Sequence, residues 1–174
     1  MEIQAVAVVG TKKSGKTTTM ENLVRELTKK GYKVAAIKHV SEPEFTIDTP
    51  GKDTWRFAQS GARTIVSVAA KEVATIEKVS LDSVKTEQLL GKCKGNDIVF
   101  VEGFKKRLSR GDIPKIVVVK SREEAESAIG LYKPILAFSG PYNTGGIHSN
   151  VPYVDALRNA QKLSELIEEK VLKR

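Results

Sequence analysis

Residues 10–17 read Gly10-Thr11-Lys12-Lys13-Ser14-Gly15-Lys16-Thr17, the complete pattern GxxxxGK[ST] of a phosphate-binding loop, or P-loop. The glycines allow the backbone to curl so that successive N–H groups face inward, and the helix that follows adds its positive N-terminal end. In this pattern Lys16 reaches the β- and γ-phosphates of a nucleotide, and the Thr17 hydroxyl binds Mg²⁺. We therefore predict that residues 10–17, together with Thr18, bind a nucleoside triphosphate. The alternative is a glycine-rich turn between a strand and a helix.

The stretches on either side of the loop give it the context that a P-loop requires. Residues 3–9 form an apolar run of the kind that is buried on both faces of a parallel sheet. After the loop, apolar residues recur with the spacing of one helical face over residues 20–27, and Gly31 ends the pattern. The loop is thus predicted to connect a buried strand to a helix.

Further along the chain, short apolar strands alternate with helical patterns, which indicates right-handed βαβ units. Asp53 is expected to cap the second helix. We predict an α/β fold: a three-layer P-loop NTPase fold with a mostly parallel sheet and helices on both faces, formed by residues 1–174 as a single nucleotide-binding domain. The further strands are predicted at 34–37, 64–69, 73–79, 98–101, 115–119 and 135–138. The strands 64–69 and 73–79 are predicted to form a hairpin at the sheet edge. The further helices are predicted at 53–61, 81–92, 123–129 and 157–171.

Composition narrows the class of protein and its partners. With 29 Lys and Arg against 21 Asp and Glu, the formal net charge is +8, which fits either anionic partners or a solvated, lysine-rich surface. The single cysteine, Cys93, cannot form a disulfide within the chain, and no run of about 18 apolar residues occurs. The first residues lack the basic-then-apolar order of a signal peptide. We expect a cytoplasmic protein that has neither a membrane nor a nucleic acid as its partner.

Polar residues follow two predicted strands at their carboxyl ends, the edge at which parallel sheets bind ligands. Glu102 follows the strand 98–101, and we predict that it holds Mg²⁺ through water or polarises an attacking water; the alternative is a structural carboxylate. Lys38 and His39 follow the strand 34–37. His39 either binds substrate or metal, or hydrogen-bonds to a loop carbonyl.

Two further segments are predicted to contribute charge to the site. The loop over residues 38–52 contains Asp48 and Lys52, and Lys52 either contacts phosphate or only neighbours a helix cap. The basic run 105–110, which begins with Lys105, is predicted to form a second anion site with the 38–54 loop; the alternative is a solvated lysine-rich loop. No [NT]KxD sequence occurs, so the residues alone do not identify the nucleotide base.

Together these residues resemble the family of molybdopterin-guanine dinucleotide biosynthesis protein B, or MobB. The resemblance spans residues 1 to about 106. The matching pieces are the P-loop, Ile37-Lys38-His39, the stretch from Phe45 through Asp48-Thr49-Pro50-Gly51-Lys52-Asp53-Thr54, Gly61-Ala62 and Val101-Glu102-Gly103-Phe104-Lys105.

The resemblance implies a homodimeric GTP-binding protein with weak hydrolysis, which assists the guanylyltransferase that joins GMP to molybdopterin. Lys16, Thr17 and Glu102 would then manage GTP and Mg²⁺, and the 38–54 loop would face molybdopterin or its carrier enzyme. The cofactor could carry molybdenum or tungsten. Two other classes stay open: a small P-loop kinase that uses residues 105–110 as a lid and Asp48 near the acceptor, and an adaptor that binds nucleotide without turnover.

Overall fold

We describe the protein from a computed structural model, which covers residues 3–173 apart from the side chain of Arg110. The strands are β1 (Gln4–Gly10), β2 (Val34–Lys38), β3 (Thr64–Val68), β4 (Val73–Glu77), β5 (Ile98–Glu102), β6 (Arg110–Val118) and β7 (Lys133–Ser139). The α-helices are α1 (Lys16–Lys29), α2 (Asp53–Gln59), α3 (Thr86–Gly91), α4 (Lys105–Leu108), α5 (Arg122–Leu131) and α6 (Ala160–Ile167). Within residues 3–173, no helix combines the length and the apolar character needed to cross a bilayer.

The chain divides into two units. The first contains the residues up to His39 and those from Leu90 onward, and the second is Val40–Leu89. The first unit holds the P-loop, and the second holds α2 and the β3–β4 pair, while α3 spans the boundary. The single domain over residues 1–174 stays a prediction.

The sheet of the first unit is parallel throughout and has the strand order β2-β5-β1-β6-β7. This confirms the predicted parallel sheet. Because β5 lies between β1 and β2, Glu102 is in register with Val8 on one side and with Lys38 on the other. The carboxyl ends of these three strands therefore meet at one edge of the sheet, where the P-loop begins.

Helices cover both faces of this sheet. On one face, α1 and α6 pack against the core through apolar side chains such as Leu23 and Leu163, together with Ile116 and Val118 of β6. Side chains alternate between faces along a strand, so Val117 belongs to the opposite face, where α4 and α5 contact the sheet. The helices on both faces confirm the layered architecture.

Several details differ from the sequence predictions. The basic run, predicted as a loop, begins with the short helix α4, and β6 begins at Arg110 instead of residue 115. The hairpin β3–β4 forms a sheet of its own instead of extending the edge of the main sheet, whose outer strands are β2 and β7. Residues 81–83 make a 3₁₀ turn, so α3 begins only at Thr86. Asp53 is the first helical residue of α2 and does not cap it. The last helix begins at Ala160, because the side chain of Asn159 accepts a hydrogen bond from the N–H of Lys162 and so caps it there.

The ammonium group of Lys115 lies wholly inside the first unit. Its Nζ donates hydrogen bonds to the carbonyl oxygens of Gly111 (2.8 Å) and Lys133 (2.6 Å), which ties the irregular start of β6 to β7. Burial lowers the pKa of Lys115, and the nearby charge of Asp112 opposes this shift only in part. The folded state therefore holds this proton less tightly than the unfolded chain does.

This lowered pKa predicts a specific pH dependence of stability. Since the unfolded chain binds more protons at this site, the free energy of unfolding gains a contribution as the pH rises towards the ordinary lysine value of 10.5. The variant Lys115→Met lacks that contribution, so wild type should gain stability relative to it with rising pH. Urea unfolding of both proteins over a pH series measures the difference, with Lys162→Met, an exposed lysine of α6, as control. A difference that stays constant up to pH 10.5 would contradict the assignment.

Candidate nucleotide site

The P-loop connects β1 directly to α1, and its backbone needs glycine at both ends. At Gly10, where φ is +156°, an added Cβ would lie 2.4 Å from the carbonyl oxygen of Val118 and 2.8 Å from the Oγ of Ser14. Gly15, with φ +97°, is the residue that turns the chain into α1. Lys13 also adopts a positive φ, of 58°. The loop therefore has the tight curl that the sequence pattern predicts.

Two side chains of the loop are arranged for an anionic ligand. Ser14 is only 3% exposed, and its buried hydroxyl has no hydrogen-bond partner among the described residues. The Nζ of Lys16 donates to the carbonyl oxygen of Thr11 at 2.6 Å and so lies folded against the loop. A buried hydroxyl without a partner costs free energy, which a ligand oxygen would recover. The loop thus fits a phosphate group.

Positive charge converges on Lys16. Burial lowers the pKa of its ammonium group, Glu102 raises it, and three further lysines lower it. Like charges repel one another, so this arrangement attracts a polyvalent anion. The three lysines are Lys105, Lys38 and Lys120.

Glu102 is the carboxylate at the centre of the site, and only 9% of the residue is exposed. The hydroxyl of Thr17 donates to its two oxygens at 3.3 and 3.2 Å, and the Nζ of Lys38 approaches the same oxygens at 3.2 and 3.3 Å. The strand register puts Lys38 there, and α1 brings in Thr17. A hydroxyl and a carboxylate side by side are hard oxygen ligands of the kind that Mg²⁺ prefers.

The turn after Glu102 fixes His39 by stacking. Gly103 and Phe104 both have positive φ, 94° and 51°, which directs the Phe104 ring onto the His39 ring at a centroid distance of 4.6 Å. The backbone N–H of His39 donates to the Glu102 carbonyl oxygen at 2.9 Å, and the Arg107 guanidinium lies 5.6 Å from the Phe104 ring centre. His39 therefore packs at the edge of the site. Within residues 3–173, no three His, Cys, Asp or Glu side chains are grouped to hold a metal ion.

Sequence reasoning missed two residues of the loop's surroundings, Lys120 and Glu124. The Thr11 hydroxyl donates to Glu124 Oε1 at 2.8 Å, the Lys120 N–H donates to its Oε2 at 2.9 Å, and Lys120 Nζ donates to the Lys12 carbonyl oxygen at 3.2 Å. Burial acts to raise the pKa of Glu124, but these hydrogen bonds and the Lys120 charge lower it overall. Lys120 could have been found, because it follows β6 at the edge that holds Glu102 and Lys38.

The predicted site residues fall into two groups. Residues 10–18, Lys38, His39, Glu102 and Lys105 lie in the first unit. Asp48 and Lys52 lie in the second unit, so their part in the site stays a prediction. Within that unit, Asp48 Oδ1 accepts hydrogen bonds from the Thr49 N–H and the Thr54 hydroxyl. Its Oδ2 is buried without a partner among the described residues.

Comparison with known proteins places this geometry in a family. The model of the family "Molybdopterin guanine dinucleotide synthesis protein B" matches residues 5–139. The chain is 33% identical over 125 residues to the putative molybdopterin-guanine dinucleotide biosynthesis adapter protein of Methanocaldococcus jannaschii, a match covering 71% of this chain and 50% of that protein. It is 33% identical over 123 residues to the adapter protein of Haemophilus influenzae, covering 67% of this chain and 64% of the relative. The chain thus spans between half and two thirds of the length of these relatives.

Solved structures agree with the family match. A crystal structure of molybdopterin-guanine biosynthesis protein B (MobB) superposes with a TM-score of 0.72 at 26% identity, covering 95% of this chain and 97% of that one. The crystal structure of Bacillus subtilis MobB has a TM-score of 0.76 at 22% identity, with 97% and 98% coverage, and supports the fold alone. The family resemblance seen in the sequence is confirmed: the chain belongs to the molybdopterin guanine dinucleotide synthesis protein B family.

Proposed function

We propose that the protein is a GTP-binding accessory protein of molybdenum or tungsten cofactor biosynthesis. It assists the conversion of molybdopterin to molybdopterin guanine dinucleotide by a partner guanylyltransferase, and it acts in the cytoplasm. Family membership and the names of the relatives, which are adapter proteins of molybdopterin-guanine dinucleotide biosynthesis, support this assignment. Guanine as the base, and molybdopterin or its carrier as a partner, rest on the family.

The observation that carries the proposal is the contact of Glu102 with both Thr17 and Lys38 beside the P-loop. With GTP bound, Lys16 contacts the β- and γ-phosphates, and Ser14 offers its unpartnered hydroxyl. Thr17 and, through water, Glu102 are the residues that would hold Mg²⁺, which supplies positive charge to the phosphates. Glu102 is buried and anchored, so it also positions a water for attack.

Hydrolysis should be slow, because Glu102 is the only polarising group that we assign to the reaction. Efficient P-loop GTPases add a water-orienting glutamine or an arginine finger, and we assign neither in this site. The protein therefore acts through binding, and residues 1–174 work as one nucleotide-binding domain. Weak GTPase activity accompanies that binding role.

A homodimer is part of the proposal. The β3–β4 sheet exposes the apolar side chains of Val66, Val68 and Val73 by 55%, 74% and 66%. Several adjacent exposed valines on a small sheet are typical of a surface that another protein covers. A second copy of the chain is the partner that the family favours.

The first prediction from the proposed function concerns the charge of Lys16. Lys16→Ala should weaken GTP–Mg²⁺ binding by at least about a hundredfold, because charge-assisted contacts to phosphate each contribute roughly 1.5–3 kcal/mol and this lysine makes more than one. Titration calorimetry measures the affinity, and Lys162→Ala on α6 is the matched control. Equal affinity in Lys16→Ala and wild type would show that the loop is not the triphosphate site.

The second prediction separates catalysis from binding. Glu102→Gln keeps the size of the side chain and its hydrogen bond to Thr17, but loses the charge that polarises water. Single-turnover GTP hydrolysis should fall at least about tenfold while GTP affinity changes little, since the group acts on the transition state. A hydrolysis rate equal to that of wild type would exclude the catalytic role of Glu102.

The third prediction concerns the dimer. Replacing Val68 and Val73 by Lys should shift the sedimentation coefficient from that of a dimer to that of a monomer, because the new charges would have to be buried at the interface. These residues form a cross-strand pair, so both changes fall on one exposed patch. Sedimentation velocity at matched concentrations is the measurement. A wild-type monomer, or a variant that remains dimeric, would contradict the use of this surface.

A further inference from the structure

A cavity lies beside the P-loop on the opposite face of the sheet from α1. Its volume is about 560 Å³, and it opens between α4, α5 and β6. The apolar walls include Val117 and Val119, and the first residues of the P-loop, Gly10 and Thr11, form one side. The volume falls within the range of roughly 300–1,000 Å³ that is usual for small-molecule sites. All of its lining residues belong to the first unit.

Tyr132 gives this cavity a polar group without a protein partner. The residue lines the cavity and is only 5% exposed, and its hydroxyl makes no hydrogen bond with any residue of the described part of the chain. Burial raises the pKa of this hydroxyl, so it stays protonated and can donate. A hydroxyl donor beside apolar walls is the usual arrangement for orienting a ring that carries acceptor atoms.

The rim of the cavity carries two lysines and two carboxylates, one of which is paired with a further lysine. Lys105 and Lys106, both exposed, lie at one side of the opening, while Glu123 and Glu124 lie at the other. Glu124 is already engaged by the Thr11 hydroxyl and by Lys120, whose ammonium group is 3.7 Å away. The two lysines therefore outnumber the one remaining carboxylate. An anionic group on the ligand would be drawn to the lysine side.

We propose that this cavity binds a pterin that carries a phosphate group. The flat ring lies between the valines of β6 and Tyr132, whose hydroxyl donates to a ring heteroatom, and the phosphate points to Lys105 and Lys106. This assignment rests on the proposed function, which supplies the class of substrate, and adds where on the protein that substrate binds. It also places the pterin phosphate next to the P-loop, because Thr11 belongs to both sites.

The test uses 6-hydroxymethylpterin phosphate as the probe, with binding followed by its intrinsic fluorescence. Unphosphorylated 6-hydroxymethylpterin and inorganic phosphate separate the contributions of ring and anion. Ser127→Trp places a large ring at the cavity wall, Tyr132→Phe removes only the hydroxyl, and Lys106→Gln removes one rim charge. Lys162→Gln is the control for the loss of a lysine elsewhere. Thermal melting and GTP titration of each variant verify the fold and the P-loop.

We expect the phosphorylated probe to bind wild type more tightly than either the unphosphorylated pterin or inorganic phosphate. Ser127→Trp should weaken binding at least tenfold, and Tyr132→Phe about threefold to tenfold, the effect of one hydrogen bond. Lys106→Gln should weaken the phosphorylated probe in a salt-dependent way and leave the unphosphorylated pterin unaffected. GTP affinity should stay at the wild-type value in all four variants.

Three results would overturn the assignment. If wild type binds GTP but not the probe, the cavity is not the pterin site, and the proposed function stays intact. If wild type binds neither GTP nor the probe, the proposed function is refuted as well. Probe binding that is unchanged in Ser127→Trp and Tyr132→Phe would place the pterin elsewhere. Inorganic phosphate that binds as tightly as the probe would reduce the site to an anion patch without ring recognition. If Ser127→Trp fails to fold, Tyr132→Phe and Lys106→Gln decide the matter.

Discussion

The position of β5 between β1 and β2 is the constraint on which the site depends. Parallel pairing on both sides sets Glu102 level with Lys38 and brings it to the strand edge from which the P-loop departs. A carboxylate that is 9% exposed would be costly to bury alone, but here it accepts hydrogen bonds from Thr17 and Lys38. The ion pair also keeps Lys38 close to Lys16. One strand order thus brings together the Glu102 carboxylate, the Thr17 hydroxyl and the ammonium groups of Lys38 and Lys16.

Positive charge is concentrated at this edge of the sheet. Lys16 is flanked by Lys38, Lys105 and Lys120, and its lowered pKa records burial first and then their repulsion. Repulsion within such a cluster lowers the free energy of unfolding, and the cluster favours binding of any ligand that brings several negative charges. A nucleoside triphosphate with Mg²⁺, as proposed for the P-loop, would be such a ligand. Lys105, whose charge also acts on Lys16, and Lys106 line the separate cavity on the far side of the sheet, where we propose that a second, smaller anion binds.

Much of this architecture could be predicted from the sequence, for identifiable reasons. Local sequence patterns identify the P-loop and the apolar strands that end at Lys38 and Glu102. Ligands bind at the carboxyl edge of a parallel sheet, and this rule predicts that these segments lie at one site. The Lys38–Glu102 contact could not be predicted in detail, because strand order is a long-range property that spacing does not reveal. The Thr11–Glu124 hydrogen bond joins residues 113 positions apart and leaves no local pattern. The β3–β4 hairpin was wrongly placed at the sheet edge, because apolar alternation indicates a strand but not which sheet it joins.

We propose that Glu102 and Thr17 form the metal-binding side of a nucleotide site, and that the Lys38 ammonium group, which here contacts Glu102, takes up part of that site. A crystal structure with Mg²⁺ and a non-hydrolysable GTP analogue tests it most directly. We expect the β- and γ-phosphates to lie on residues 10–17, Mg²⁺ to be bound by the Thr17 hydroxyl with Glu102 as a water-mediated ligand, and the Lys38 ammonium group to turn from Glu102 towards the γ-phosphate. A nucleotide bound elsewhere, or a metal ion that contacts neither Thr17 nor Glu102 while the Lys38–Glu102 pair stays intact, would contradict it.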